Sequence, residues 1–126
     1  MSIFPATDRL GRVARLDSTT GELIASIRLP APPIAMAADD QAVWVALDRG
    51  ETLWRIDPRD DVAVAAVRVP GGVIDLAVDE RAVWALGADG AVSRIDPQSN
   101  TITGRTNLGR GGSIAAGQGA VWIAAP

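Results

Sequence analysis

Residues 42–58 read Ala42-Val43-Trp44-Val45-Ala46-Leu47-Asp48-Arg49-Gly50-Glu51-Thr52-Leu53-Trp54-Arg55-Ile56-Asp57-Pro58. Two short runs rich in β-branched and other apolar residues flank an Asp-Arg-Gly break, the signature of two strands joined by a tight turn. The stretch repeats. Ala-Val-Trp returns at residues 82–84 and 120–122, at spacings of 40 and 38, and Arg-Ile-Asp-Pro returns at residues 94–97. A weaker copy, Arg15-Leu16-Asp17-Ser18, precedes them. Twelve residues before Leu16 stands Phe4, in the slot that Trp holds elsewhere.

Working outward from the quoted stretch, residues 34–38 form another apolar run, ended by Asp39-Asp40-Gln41. Residues 62–69 form a fourth, entered through Pro58-Arg59-Asp60 and closed by Pro70-Gly71-Gly72. No segment carries a helical period over eleven or more residues. Four short strands in each tandem unit of about 40 residues predict β-propeller blades. The expected fold is all-β, with four antiparallel strands per blade and about three blades in one domain over residues 1–126. The repeats fall at about 3–42, 43–82 and 83–120, with a closing strand at 121–125. As the residue common to all repeats, Trp44, Trp84 and Trp122 are expected to be buried at equivalent places.

The motifs Ala-Val-Trp-Val-Ala and Arg-Ile-Asp-Pro, followed by a turn, a β-rich strand and a Pro/Gly turn, resemble bacterial propellers of the YVTN and NHL-like type. They look most like the streptogramin (virginiamycin B) lyase-like propellers, over residues 3–125. No Trp-Asp dipeptide or Gly-His turn points to WD40 repeats instead. The resemblance implies a propeller; the lyase chemistry it brings to mind would use histidine acid–base groups and a divalent metal. This chain has no histidine, so none of that machinery carries over.

Composition narrows the chemistry further. Hydrophobic residues make up 48% of the chain and aromatics only 4%, so the core must be built mainly from Val, Ile, Leu and Ala. The net charge is −3 without blocks of like charge, which suggests neither a nucleic-acid partner nor an acidic membrane surface. All positive charge is arginine, and His, Cys, Tyr and Lys do not occur. A disulfide framework, thiolate chemistry and an ordinary zinc site are therefore not expected, and neither is a cofactor. No basic leader precedes an apolar stretch, and no apolar run approaches the roughly 18 residues of a bilayer span. As written, the chain reads as cytoplasmic and non-membrane.

Asp17, Asp57 and Asp96 end the third strand of each repeat, where a carboxylate accepts downstream amides and fixes the turn. Arg15, Arg55 and Arg94, two residues earlier on the same strand face, read as partly exposed Arg–Asp pairs. Trp54 stands where the other repeats have Ala14 and Ser93, and reads as extra core filling or a binding residue. Asp75 stands where they have Ala35 and Ser113, on the strand expected to line the central channel. It reads as a carboxylate solvated by channel water, or as part of a polar-ligand or cation site. The loops joining second to third and fourth to first strands carry Asp48, Arg49, Glu51, Asp89 and Arg110 beside Gly111-Gly112. That face and Asp75 are the tentative ligand site; no metal ligands are assigned.

Three blades subtend too little of a circle and would leave apolar end faces and unpaired strand edges. Residues 113–125 supply the first two strands of a blade and residues 12–30 the last two. Two copies can thus complete each other's split blades, closing six blades as a homodimer. Residues 3–6 and 121–124 compete for one slot, which the tryptophan-bearing copy should win. The functional reading is a non-enzymatic scaffold or binding module. The alternative is a lyase-like or hydrolase propeller using carboxylates at the channel mouth, with Asp75 or Glu51 as base.

Overall fold

The computed structural model describes residues 11–48 and 51–125. Phe4, the rest of residues 3–6, and Arg49 lie outside them. Twelve strands and no helix occur among the described residues. They are β1 (Gly11–Leu16), β2 (Leu23–Leu29), β3 (Pro33–Ala38), β4 (Val43–Leu47), β5 (Thr52–Asp57) and β6 (Val62–Arg68). There follow β7 (Asp75–Val78), β8 (Val83–Leu86), β9 (Ala91–Asp96), β10 (Thr101–Asn107), β11 (Ser113–Gly117) and β12 (Ala120–Ala124). Two full blades, β3-β4-β5-β6 and β7-β8-β9-β10, stand between two half-blades, β1-β2 and β11-β12, and every pairing is antiparallel.

The repeat dictates the same local geometry each time. Trp44 faces Arg55 across β4 and β5, and Trp84 faces Arg94 across β8 and β9. After each third strand, Asp17, Asp57 and Asp96 accept an amide two residues on, at 2.7, 2.9 and 2.8 Å. The carbonyls of the same residues accept the amides of Gly21, Asp61 and Asn100, each at 2.8 Å. Those three residues have φ of 77°, 55° and 58°, the left-handed region that Gly, Asn and Asp tolerate best. The aspartates thus build the turns that their spacing predicted.

Strand alternation sends neighbouring side chains to opposite faces, so each full blade feeds two cores. Trp44, Ala46 and Leu53 pack against Leu76, Val83, Ala85 and Ile95 of the next blade. Val45 and Ile56 point the other way, onto Val13 and Leu29 of the first half-blade, with Trp54 packed beside them. Leu86 and Val92 meet Ile114 of the last half-blade. Strand β7 lies beside β3 on one side and β11 on the other, making these the inner strands.

The expectation that all three repeat tryptophans are buried needs correcting. Trp44 is fully buried, Trp84 is half-buried and Trp122 is 60% exposed. A full blade covers Trp44, a half-blade packs beside Trp84, and no further blade follows Trp122 among the described residues. A similar rule governs the inner strands. Leu76 and Ile114 are buried, but Met36, their equivalent on β3, is 54% exposed, because among the described residues no inner strand accompanies β1-β2 to cover it.

Candidate functional site

Strand direction sorts the turns onto two ends of the arc. The turns after β4, β6, β8 and β10 share one end, where sequence reading placed its candidates. The turns after β3, β5, β7 and β9 share the other.

At the first end, Glu51 and Asp89 gather around the turn at residues 70–72. Glu51 accepts the Gly71 amide at 2.6 Å and an Arg68 Nη2 proton at 3.2 Å. The Gly71 amide, and then Arg68, hold the Glu51 carboxyl below its ordinary range. Asp89 accepts the Ala91 amide at 3.0 Å, and its Oδ2 lies 3.3 Å from where a Cβ on Gly71 would sit. Arg105 closes the group with a 2.7 Å bond to the Pro70 carbonyl. Asp48 donates its backbone amide to Pro32 at 2.8 Å. Arg110 is exposed, and its backbone amide abuts Gly90 so closely that a Cβ there would lie 2.4 Å away.

Asp75 does not join this group. Its Oδ1 accepts the Leu76 amide and its Oδ2 the Ile114 amide, both at 2.9 Å. The side chain bridges β7 to β11, tying one blade to the next. Of the two candidate bases, Asp75 therefore spends its oxygens on two amides, and Glu51 on an amide and an arginine. Among the described residues, no three Asp, Glu, His or Cys side chains gather as a metal set.

Two cavities lie at the opposite end, in the clefts between blades. One, of about 290 Å³, is lined by Asp39, Gln41, Trp44, Arg55, Glu80 and Gln98 among others. The other, wider, at about 780 Å³, repeats the arrangement one blade on, with Asp79, Glu80, Trp84, Arg94 and Gln118. In each, the guanidinium lies over the indole at 5.8 Å, a cation–π stack. This replaces the Arg–Asp pairing read from the sequence: Asp57 binds Arg59 at 3.0 Å instead, and Arg94 donates to Thr103 at 2.9 Å. Arg15 reaches the next blade, bonding the Pro58 carbonyl at 2.6 Å and Asp61 at 3.1 Å.

Asp39 and Asp79 start the β3–β4 and β7–β8 turns alike, each Oδ1 accepting the amides two and three residues on at 2.8–3.0 Å. Asp79 also accepts the Trp84 indole proton at 3.0 Å. Burial pushes the Asp79 carboxyl up, but the amides of Arg81 and Ala82, the indole and the Arg94 charge together hold it below its ordinary value. The sequence carried a signal for these clefts: an Asp five residues before Trp in two of three repeats, replaced by Gly117 in the third.

No family model matches the sequence, and no curated protein matches it. Among solved structures the chain is similar to the WD40 domain of Neurospora crassa Pan2, at TM-score 0.63 and 22% identity, covering 79% of this chain and 31% of that one. WD40 domains are radial arrays of four-stranded blades. This chain is an arc of a β-propeller. Apo AztD from Citrobacter koseri aligns at TM-score 0.71 and 18% identity, over 82% of this chain and 31% of that one. The computationally designed Ika8 protein aligns at 0.74 and 15%, over 91% and 37%. The arc spans about a third of the length of these structures, and at such identities the likeness is one of fold.

Proposed function

We propose that this chain is a non-enzymatic propeller module, of the YVTN/NHL-like kind and nearest in motif to the streptogramin lyase-like propellers, whose ring is completed by a second copy. One observation carries the reading. The apolar residues that a missing neighbour would cover lie at opposite ends: Trp122 on β12, and Ile34 and Met36 on β3. Among the described residues β12 pairs only with β11, and β1 only with β2. The half-blades are complementary, inner strands at one end and outer strands at the other.

The repeat fixes the register of the joint. The pairing of Val45 with Trp54 and Trp44 with Arg55 becomes, between copies, Ile123 with Ala14 and Trp122 with Arg15. Trp122 then lies under the Arg15 guanidinium, as in both full blades, and faces the Val43 side of the partner's first full blade. Two such contacts, related by a twofold axis, close six blades.

Sedimentation of the 126-residue chain at micromolar concentration tests the closure, with a dimer expected. A well-folded monomer would overturn it, and a trimer would reject the six-blade count. The register has its own test, because the chain has no cysteine. Directly opposed strand residues lie within disulfide reach. The double variant Ala14→Cys with Ile123→Cys should oxidise to a covalently linked dimer, whereas Ala14→Cys with Ala125→Cys should not.

A further inference from the structure

Two positions of the repeat are buried in both inner interfaces of the arc and exposed on the second full blade and the first half-blade. Leu29 and Val69 stand at the end of the fourth strand, and each is buried in the core shared with the following blade. Leu108 holds the same place after β10, yet it is 51% exposed. Ile56 and Ile95, on the third strands, are buried in the core shared with the preceding blade. Leu16 holds their place on β1, yet it is 57% exposed. Its cross-strand partner repeats the contrast. Ile102, opposite Ile95, packs on the core between the full blades, whereas Leu23, opposite Leu16, is exposed.

The clefts carry the same contrast. Pro97 and Gln98, in the turn after the third strand of the second full blade, wall the narrow cleft. Among the described residues the wide cleft has no such wall, since the last half-blade brings it only β11, β12 and the turn between them. Arg94 lines that cleft and donates to Thr103 of its own blade. Arg15, its equivalent, crosses to the following blade and donates to the Pro58 carbonyl, in the turn after the third strand, at 2.6 Å. Ser18, between β1 and β2, holds the place of Pro58 in the first repeat. The half-blade β1-β2 thus carries the apolar pair and the turn that the open side of the second full blade lacks.

We infer that the open side of the second full blade, from Leu108 across the wide cleft to Arg94, is a docking surface for the outer half-blade β1-β2 of a second copy. Leu16 and Leu23 are the apolar face it receives, and the Ser18 carbonyl of that copy is the acceptor for Arg94. The docking rests on the two-copy ring proposed above and adds a second contact to it. Pairing of β12 with β1 joins the halves of the split blade; this contact seats the completed blade on its neighbour. A second copy suits the surface because the chain makes the same interface twice within itself, with Leu or Val at the one position and Ile at the other. Its two sides differ, so the contact is heterologous, and twofold symmetry repeats it.

Sedimentation of the full chain tests the docking. Leu16 and Leu108 are both exposed in the single chain, so charging either one leaves the monomer folded. Leu108→Asp and Leu16→Asp should each raise the dimer dissociation constant about 100-fold, since a lost leucine contact costs about tenfold and occurs twice in the ring. Arg94→Ala should raise it about tenfold. Val64→Asp charges a similarly exposed side chain on β6, away from the ring contacts, and should leave it unchanged. The wild-type chain separates the two ways of failing. If it stays monomeric, the ring and the docking are overturned together. If it dimerises and links through Ala14→Cys with Ile123→Cys, but either leucine variant or Arg94→Ala associates as tightly as the wild type, the docking alone is overturned and the ring stands.

Discussion

Trp44 and Trp122 share one repeat position, on the equivalent strands β4 and β12, and one neighbouring sequence, Ala-Val-Trp. Trp44 is fully buried and Trp122 is 60% exposed. The local strand is equally well formed around both; what differs is the next sheet. Met36 and Leu76 teach the same lesson on the inner strands, at 54% and 5% exposed. In this architecture each repeat supplies half of an interface, and burial belongs to the pair of repeats. Composition and motif therefore describe the blade, and only the neighbour determines which of its side chains become core.

The largest effect that can break this comparison comes from truncating the two tryptophans. Trp44→Ala removes the centre of the core between the full blades and should cost about 3–5 kcal/mol at any protein concentration. Trp122→Ala in the dilute, unassociated chain should change stability by no more than about 0.5 kcal/mol. Its cost should rise with concentration if a second copy covers it, since a ligand or subunit that binds only the folded form stabilises by mass action. Urea unfolding followed at two concentrations tenfold apart reads both. Equal, concentration-independent losses for the two variants would show that position within the repeat, and not the neighbour, sets the burial.

Much of the fold was legible because its rules are local. Strand and turn follow from alternation and from Asp, Pro and Gly at fixed offsets, and the Asp-first turns at 17, 57 and 96 needed nothing beyond four residues of sequence. The Trp–Arg stacks were legible in principle. Folding Ala-Val-Trp back on Arg-Ile-Asp through the intervening turn places indole opposite guanidinium, whereas sequence reading paired each arginine with the aspartate two residues on. The exposure of Trp122 and the role of Asp75 were not legible, since each depends on what lies across a blade interface. Asp75 looked like a channel carboxylate because its partner, the Ile114 amide, is 39 residues away. The clefts went unread because the Asp39 and Asp79 turns resemble any other polar turn until the next blade is placed against them.

Asp75 sharpens the comparison at a smaller scale, since it is the side chain that ties a full blade to the exposed half-blade. Asp75→Ala leaves the Leu76 and Ile114 amides without that acceptor and should destabilise by about 1–3 kcal/mol. Asp75→Asn keeps one carbonyl oxygen and should recover part of the loss. Hydrogen exchange separates a local from a global effect: the Ile114 amide should lose protection in Asp75→Ala at conditions where the Val45 amide, in the other core, does not. Uniform loss across both blades would mean that the half-blade and the full blades open as one unit.

The smallest effect is the titration of Asp79, which distinguishes the indoles of the two clefts. The Asp79 carboxyl sits below its ordinary value of 3.8 because its charged form accepts two amides and the Trp84 indole proton. A carboxyl depressed on folding contributes stability above its unfolded pKa and loses it as pH falls through the folded value. The contribution is thus complete at neutral pH and lost below about pH 4. Asp17, Glu51 and Asp57 are depressed in the same direction by their amide and arginine partners, so acid weakens the chain at several turns together. The indoles isolate the Asp79 part. As pH falls below that ordinary value, the Trp84 indole resonance should shift as its acceptor is protonated, while that of Trp122, bonded to the Gly117 carbonyl, should hold still. Asp79→Asn should abolish the Trp84 shift and leave the remaining acid sensitivity in place. If Trp84 keeps titrating in Asp79→Asn, the proton is being felt elsewhere in the cleft and the Asp79–Trp84 bond is not what couples the wider cleft to pH.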